Sequence, residues 1–308
     1  MLEALIKKRV AGGIGKFLRY MLLINLSFII LFPFIAKICA MFMSFNDTVD
    51  PTVKFIARQP TLSNILYVLF NTNYFEALRN TALLSVTYAA LTTASCALVG
   101  YGLAKFRLKS AGLFICLLVL TLLIPPQTVM LPVFSYFTYF DPFGIITLIF
   151  GAPINLSGTL WPMIILGAIG FGFRAGLFTL IFRQFFTGVP DQLMEAAYVD
   201  GSGVFRTFAQ IAIPLSRPVM ITVFLFSFCW QWTDTFYSSL LFNNLPLMAN
   251  SISSIITNFN SAGALYISYT ATIVVNTAVI FAVLPIIIIF IVFQKGFVQG
   301  IERSGIVE

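Results

Sequence analysis

The chain contains no histidine. The commonest general base and metal ligand are therefore missing, and an H-E-x-x-H metalloprotease or a serine–histidine hydrolase is excluded. Charge is scarce as well. Asp, Glu, Lys and Arg make up 9% of 308 residues, against about a quarter in soluble domains. Acidic residues are the scarcer sign, 11 against 18 basic, and they do not cluster, which argues against a membrane enzyme. The four cysteines, Cys39, Cys96, Cys116 and Cys229, lie in apolar segments and form no C-x-x-C pair. They read as small buried side chains rather than a redox or metal site.

What is abundant is apolar. Hydrophobic residues reach 59% with 34 phenylalanines, and the mean hydropathy is +0.96. This is the composition of a polytopic membrane protein. A net charge of +7 could suggest nucleic acid, but the basic residues fall in short loops between apolar runs, so no nucleic-acid partner is expected. Gly12-Gly13-Ile14-Gly15-Lys16 imitates a phosphate loop, yet Val10 stands where a glycine belongs and Phe17 where Ser or Thr belongs. No other stretch offers a nucleotide site, so any ATP and its Mg are bound on another subunit, and this chain holds no cofactor.

The apolar runs predict an all-α fold of six transmembrane helices. The basic N-terminus, 1–19, precedes a first span over Tyr20–Met43, too long for a signal core. A more polar stretch, 45–77, reads as an external loop with a short helix over Thr61–Leu69. The second span, Leu78–Leu103, is rich in Ala, Ser, Thr and Gly, residues that let helices approach closely in lipid. The third, Leu113–Tyr139, carries Pro125, Pro126 and Pro132 and must kink. Gln127 beside that kink is a candidate to line a cavity; accommodation of the prolines by neighbouring helices is the other reading. A second external stretch over Phe140–Pro162 is partly apolar and is expected to dip toward the membrane. The fourth span, Met163–Phe186, holds Arg174 near its middle, where a charge is costly and seldom faces lipid. Arg174 fits a substrate path or a structural pair with another helix.

The fifth span, Val219–Phe242, contains Trp230-Gln231-Trp232-Thr233-Asp234. Gln231, Asp234 and Ser238 are three and four apart and would share one helical face. Such a stripe suits a sugar, whose ring stacks on Trp232 while its hydroxyls bond the amide and the carboxylate. It equally suits polar glue between helices. Residues 243–265 are external and Asn-rich. The sixth span, Tyr266–Phe293, has Asn276 in its interior and Pro285 as a bend, and 294–308 is a polar tail. With the N-terminus inside, inner segments hold Lys7, Lys8, Arg9, Lys16, Arg19, Lys105, Arg107, Lys109, Arg183, Arg206, Arg217, Lys295 and Arg303. Outer ones hold Lys54, Arg58 and Arg79. The asymmetry places both termini in the cytoplasm.

Between the fourth and fifth spans lies a polar, helix-forming island, 189–218, on the cytoplasmic side. Pro190 suits a first helical position, Asp191 complements the helix dipole, and Gly201 suits the left-handed residue that closes a helix. Ser202 can cap a second helix, and Pro214 interrupts the chain near the membrane. Helix, tight turn, helix makes a compact knob.

Glu195-Ala196-Ala197, Asp200-Gly201 and the later Ile213-Pro214 resemble the EAA loop of bacterial ABC importer permeases. The form E-A-A-x-x-D-G is similar to the carbohydrate-uptake branch, the maltose-transporter type. The resemblance extends over 1–308 as a single permease domain with its core at 78–293. It implies a multi-pass protein of the bacterial plasma membrane that pairs with a second permease, two ATP-binding subunits and an extracellular solute-binding protein. The knob would be the coupling helix seated in the ATPase, and the tail would touch the ATPase dimer. Where the family carries a Trp-Asn pair in the fifth span, this chain has Gln231. A stand-alone secondary transporter or channel, and an importer of a non-sugar solute, are the alternatives.

Overall fold

The computed structural model describes residues 2–305 except 107, 173, 243–244, 253–254 and 256–264; for 2–14, 265–270 and 301–305 it describes the backbone alone. The described chain is helical, with one isolated antiparallel bridge between Phe140 and Ile154. It forms two compact units, residues 1–72 with 254–281, and residues 73–253 with 282–308.

In the first unit, α1 (Leu2–Met41) is long and apolar, and no residue of its stretch Gly15–Met41 is fully buried within the chain. A helix apolar all round is at home only in lipid or against other apolar helices. Its one charge beyond Arg19, Lys37, donates to Asn276 Oδ1 at 2.6 Å. Asn276 lies on the last helix, α15 by the present numbering (Leu265–Gly305). After α1 the chain turns through α2 (Phe45–Val49), whose N-cap Ser44 and Asp47 form a reciprocal capping box, to α3 (Ser63–Asn71). Asn64 ties α3 back by donating to the carbonyls of Met41 and Met43. In the loop between, the Thr52 hydroxyl and amide, helped by the Arg58 charge, hold the Asp50 carboxyl below the usual carboxylate range.

The second unit is built on α4 (Tyr74–Lys105). Around it lie α5 (Ala111–Leu123), α6 (Pro126–Thr138), α7 (Ile145–Phe150), α8 (Trp161–Ala168) and α9 (Ala175–Thr187). After them come α10 (Asp191–Val199), α11 (Val204–Thr207), a π turn over Phe208–Ala212, α12 (Ile213–Leu215), α13 (Arg217–Trp232) and α14 (Phe236–Leu241). The small residues of α4 face inward. Ser85, Ala89, Thr92, Thr93, Cys96, Ala97 and Gly100 are buried, and α8, α9 and α13 pack on them. Without water to expel, such contacts are held by close van der Waals fit. Phe178, Phe182 and Phe186, one turn apart on α9, fill the space beside Cys96, Ala97 and Tyr101. Cys116, expected to be buried, is exposed on α5, which has no buried residue.

Among the described residues three helices are long and apolar enough to cross a membrane: Gly15–Met41, Tyr74–Lys105 and Ala271–Gly300. Two further pairs qualify only as bent spans. α5 and α6 meet at 98° across Ile124-Pro125, where prolines remove amide donors and force the break. The chain from Val204 to Leu215 meets α13 at 79°. The expected fourth span is not one helix. It stops at Ala168 and restarts at Ala175, and each half is shorter than the ~20 residues a span needs. Gly170 and Arg174 between them take left-handed backbone, which no helix continues through. The fifth also breaks, at Thr233–Thr235, so its polar residues do not share a single helical face.

The Lys37–Asn276 contact predicts a double-mutant cycle. Asn276→Leu strands an ammonium in an apolar helix and should lower stability by about 1.5–3 kcal/mol, the scale of a hydrogen bond to a charged group. Lys37→Leu combined with Asn276→Leu should recover most of that loss. Thermal unfolding of the purified chain in detergent measures it, and additive single-mutant losses would show that the pair is not coupled.

Candidate functional site

The segment after α9 turns away from the helices. Pro190, with φ −59 and ψ 133, is the residue before the helix rather than its first member, and α10 begins at Asp191. The far end of α10 closes with a Schellman motif. The Ser202 amide donates to the Ala197 carbonyl at 2.9 Å and the Gly201 amide to the Tyr198 carbonyl at 3.0 Å. Gly201 takes φ +80. A Cβ there meets nothing within 4 Å, so the demand for glycine comes from the backbone alone. The spacing from Ala197 to Gly201 is thus the spacing of a helix cap. α11 follows with Gly203, not Ser202, at its N-cap. The π turn then prepares for Pro214. Pro214 cannot donate, and the Ile213 amide reaches back five residues to the Phe208 carbonyl. The break itself falls at buried Ser216, two residues beyond the proline.

Both ends of this knob are anchored. Lys105, the last residue of α4, donates to the Val189 carbonyl at 2.5 Å and to Asp191 Oδ1 at 2.6 Å. Its side chain is only 6% exposed while that of Asp191 is 75% exposed. The carbonyl bond is therefore the sheltered part of the contact, and solvent screens the ion pair. One turn back on α4, Tyr101 lies against Phe186, Phe208 and the sulfur of Met194, so the buried face of α10 is clamped to α4 and α9. At the exit, Gly296 and Gly300 of α15 sit on the first turns of α13. A Cβ on Gly296 would fall 2.7 Å from Ile221 Cδ1, and one on Gly300 would collide with Thr222 Oγ1 and the Pro218 carbonyl. Gly296-x-x-x-Gly300 is the small-residue packing motif of membrane helices. The tail, expected as a polar end segment, is the continuation of α15 through Gly305.

The outer face of the knob is open. Glu195, Ala196, Asp200, Gly201 and Pro214 are exposed, while Met194 and Ala197 are buried. Val199 is 88% and Phe205 79% exposed, next to Leu193 and Tyr198. Large apolar side chains are thus bared on a charged segment. No group of three or more Asp, Glu or Cys that could hold a metal ion occurs among the described residues.

The second candidate set does not assemble as one stripe. Asp234 accepts from the Ser238 amide at 2.9 Å, the Ser238 hydroxyl at 3.2 Å and the Tyr237 amide at 3.4 Å, which caps α14. The Trp232 indole is buried, donates to the Ala282 carbonyl at 2.9 Å and lies against Phe228, so it offers no open face for a sugar. Gln231 is buried with its Nε2 lacking an acceptor among the described residues. Gln127 is exposed on the first turn of α6, and Asn276 is engaged with Lys37. Arg174 is the exception. It precedes α9 in left-handed backbone at φ 58 and is exposed, with its guanidinium carbon 3.9 Å from the centre of the Trp230 ring. Phe178 and Phe226 stack on the same indole. Sequence reasoning named Arg174 and, separately, Trp232 as path candidates, and did not pair Arg174 with Trp230. It missed Lys105, Tyr101 and the paired glycines of α15; a G-x-x-x-G spacing at the end of an apolar helix was the available signal.

Residues 97–303, more than half of the chain, match the sequence family described as "Binding-protein-dependent transport system inner membrane component". The chain is 25% identical over 287 residues to the arabinooligosaccharides transport system permease protein AraQ of Halalkalibacterium halodurans, covering 91% of this chain and 92% of that protein. It is 26% identical over 301 residues to a probable starch degradation products transport system permease protein, AmyC, of Thermoanaerobacterium thermosulfurigenes, covering 95% and 97%. In fold it is similar to a chain of the crystal structure of a bacterial ABC transporter involved in the import of the acidic polysaccharide alginate. The TM-score is 0.72 at 21% identity, over 92% of this chain and 96% of that one.

The Lys105 anchor makes a local prediction. Lys105→Met keeps the stem and removes the donor, so α10 should open more readily by about 1.5–3 kcal/mol. Amide exchange over 191–199 should then quicken by roughly tenfold or more, with α4 above Tyr101 unchanged. Unaltered exchange in α10 would mean that packing at Met194 holds the knob without the lysine.

Proposed function

Because this chain belongs to the family of binding-protein-dependent transport system inner membrane components, we propose that it is a permease subunit of an ATP-binding-cassette importer. It forms part of the path for a sugar or oligosaccharide across the bacterial plasma membrane. In this reading the chain crosses six times, the two bent or broken segments around Pro125 and Gly170 counting as one span each, and both termini are cytoplasmic. It is not itself an enzyme. ATP and Mg act on two separate ATP-binding subunits, a second permease completes the path, and a solute-binding protein delivers the substrate from outside. The names of AraQ and AmyC, both for saccharides, support the substrate class.

The observation that carries this reading is the knob: rigid toward its own helices and bare on its outer face. Glu195, Asp200, Val199 and Phe205 are free to enter a cleft of the ATPase. Closure of the ATPase dimer would push α10, and Lys105, Tyr101 and Met194 would pass that displacement to α4 and α9. ATP shifts the equilibrium between inward-facing and outward-facing packings only by its differential affinity for the two, so coupling requires a knob that does not yield. Arg174 on Trp230 is the path residue we favour. It stands thirteen residues from the knob end of α9, about 20 Å at 1.5 Å per residue. That depth lies inside the hydrocarbon slab, where an exposed cation is retained for a polar path or a partner subunit.

Two results test this. An affinity-tagged chain isolated from its own host should bring with it an ATPase, a second permease and a binding protein; a chain that purifies alone and still transports would overturn the reading. Gly201→Asp forces an L-residue into left-handed backbone at a cost of about 1–2 kcal/mol. The assembled complex should then hydrolyse ATP while uptake falls by about tenfold or more. Normal uptake by that variant would end the lever mechanism.

A further inference from the structure

Between α6 and α8 the chain makes a closed hairpin that the knob mechanism does not use. Phe140 and Ile154 pair across its stem, each amide donating to the other's carbonyl at 3.0 and 3.2 Å. Just inside the stem, the Asp141 carboxylate accepts from the Ile146 amide at 2.9 Å, the Thr147 amide at 3.2 Å and the Thr147 hydroxyl. These are donors of the first turn of α7 that a helix leaves without internal partners. At the other end, the Gly151 amide donates to the Thr147 carbonyl at 2.8 Å and closes the turn. The tip therefore leans on its own chain, not on water, for much of its backbone bonding.

Its side chains are the reverse of a water-facing loop. Phe143 is 98% exposed, Leu148 87% and Phe150 71%, with Ile145 and Ile149 also bare. No charged residue occurs from 142 to 173. Phe143 also sits in left-handed backbone at φ 60, an arrangement disfavoured for a bulky residue. A defined turn thus displays a contiguous apolar cap. Exposed Tyr139 and Trp161 stand at the feet of the hairpin, at the ends of α6 and α8. Amphipathic rings of this kind gather at the membrane–water boundary.

We propose that the tip Phe143–Phe150 inserts into the boundary between lipid headgroups and acyl chains of the membrane that holds this chain, as an interfacial anchor. Tyr139 and Trp161 mark headgroup level, and Asp141 stays at the wet edge while it satisfies the amides that go below. Lipid fits better than a protein partner because the cap is apolar throughout and presents no hydrogen-bonding side chain beyond Thr147, which Asp141 already occupies. The inference needs only that the chain lies in a bilayer, so it stands or falls separately from the importer reading.

Site-directed spin labelling of the full chain, with whatever co-purifies, in lipid nanodiscs tests it. Leu148→Cys and Ile149→Cys replace exposed residues, and Ala152→Cys near the stem is the reference. The unsubstituted chain gives the signal from native cysteines to be subtracted. At 148 and 149 oxygen should relax the label and a water-soluble nickel chelate should lose access, with the opposite order at 152. Access of the chelate to 148 and 149 equal to that at 152 would put the tip in water and overturn the proposal. Protection from both relaxants would show that protein covers the tip, and would overturn it equally.

Discussion

A single ammonium group holds the junction between the membrane helices and the part that faces away from them. Lys105 ends α4, and its amine is almost wholly sheltered while it bonds the Val189 carbonyl and Asp191. The carbonyl lies just ahead of α10, where the chain has left one helix and not begun the next. An unpartnered carbonyl there would be costly in a site with little water. Lys105 satisfies it and fixes the angle at which α10 leaves the bundle. Tyr101, Met194 and Phe208 can pack as they do because that angle is set. The acidic first turn of α10 is thus oriented by a cation on another helix as well as by its own dipole.

The rest of the architecture follows from the bilayer's demand that backbone groups be bonded within the protein. Where helices are unbroken, as in α1, α4 and α15, the demand is met automatically, and these are the segments that qualify as spans. Where they break, the chain supplies a local substitute. Asp234 caps α14 after the stop at Trp232, the π turn reconciles Pro214 with its neighbours, and Asp141 bonds the start of α7. Asp234, read from sequence as a sugar ligand or as polar glue between helices, is therefore a structural acceptor, and Asp141 is another. Arg174 has no such duty. It lies at a break between α8 and α9 with its charge resting on an indole and, like Gln127, keeps an open side.

How much of this was legible in the sequence depended on the range of the interaction. The all-helical membrane class needed only composition, and the α5–α6 bend needed only Pro125 and Pro126. The closing turn at Gly201 needed five consecutive residues, because a Schellman motif is local. Lys105 was illegible: it binds residues 84 and 86 positions away, and by itself it looks like any basic residue in an inner loop. The broken fifth span was misread for a different reason. Trp230 to Asp234 has helical periodicity, but an aspartate able to bond amides three and four residues ahead competes with the helix and starts a new one. The same apparent stripe placed Trp232 in the path and left Trp230 unremarked.

The anchors must also be strong enough together for the knob to act as a lever. Moving a two-state equilibrium from 1:99 to 99:1 takes about 5.5 kcal/mol of differential interaction. The Lys105 contact supplies about 1.5–3 kcal/mol at most, less for the exposed part shared with Asp191. A knob held by that contact alone would tear loose before the helices moved. Packing of Met194 against Tyr101, and the close fit of Gly296 and Gly300 on α13, add to it at opposite ends of the segment. In that mechanism an anchor at one end alone would leave α10 held on one side only. In the proposed mechanism, fixing both ends would convert a push on α10 into a displacement of α4 and of the α13–α15 pair together. In the proposed lever, the glycines at the end of α15 would belong to the coupling apparatus together with the Glu195–Gly201 turn.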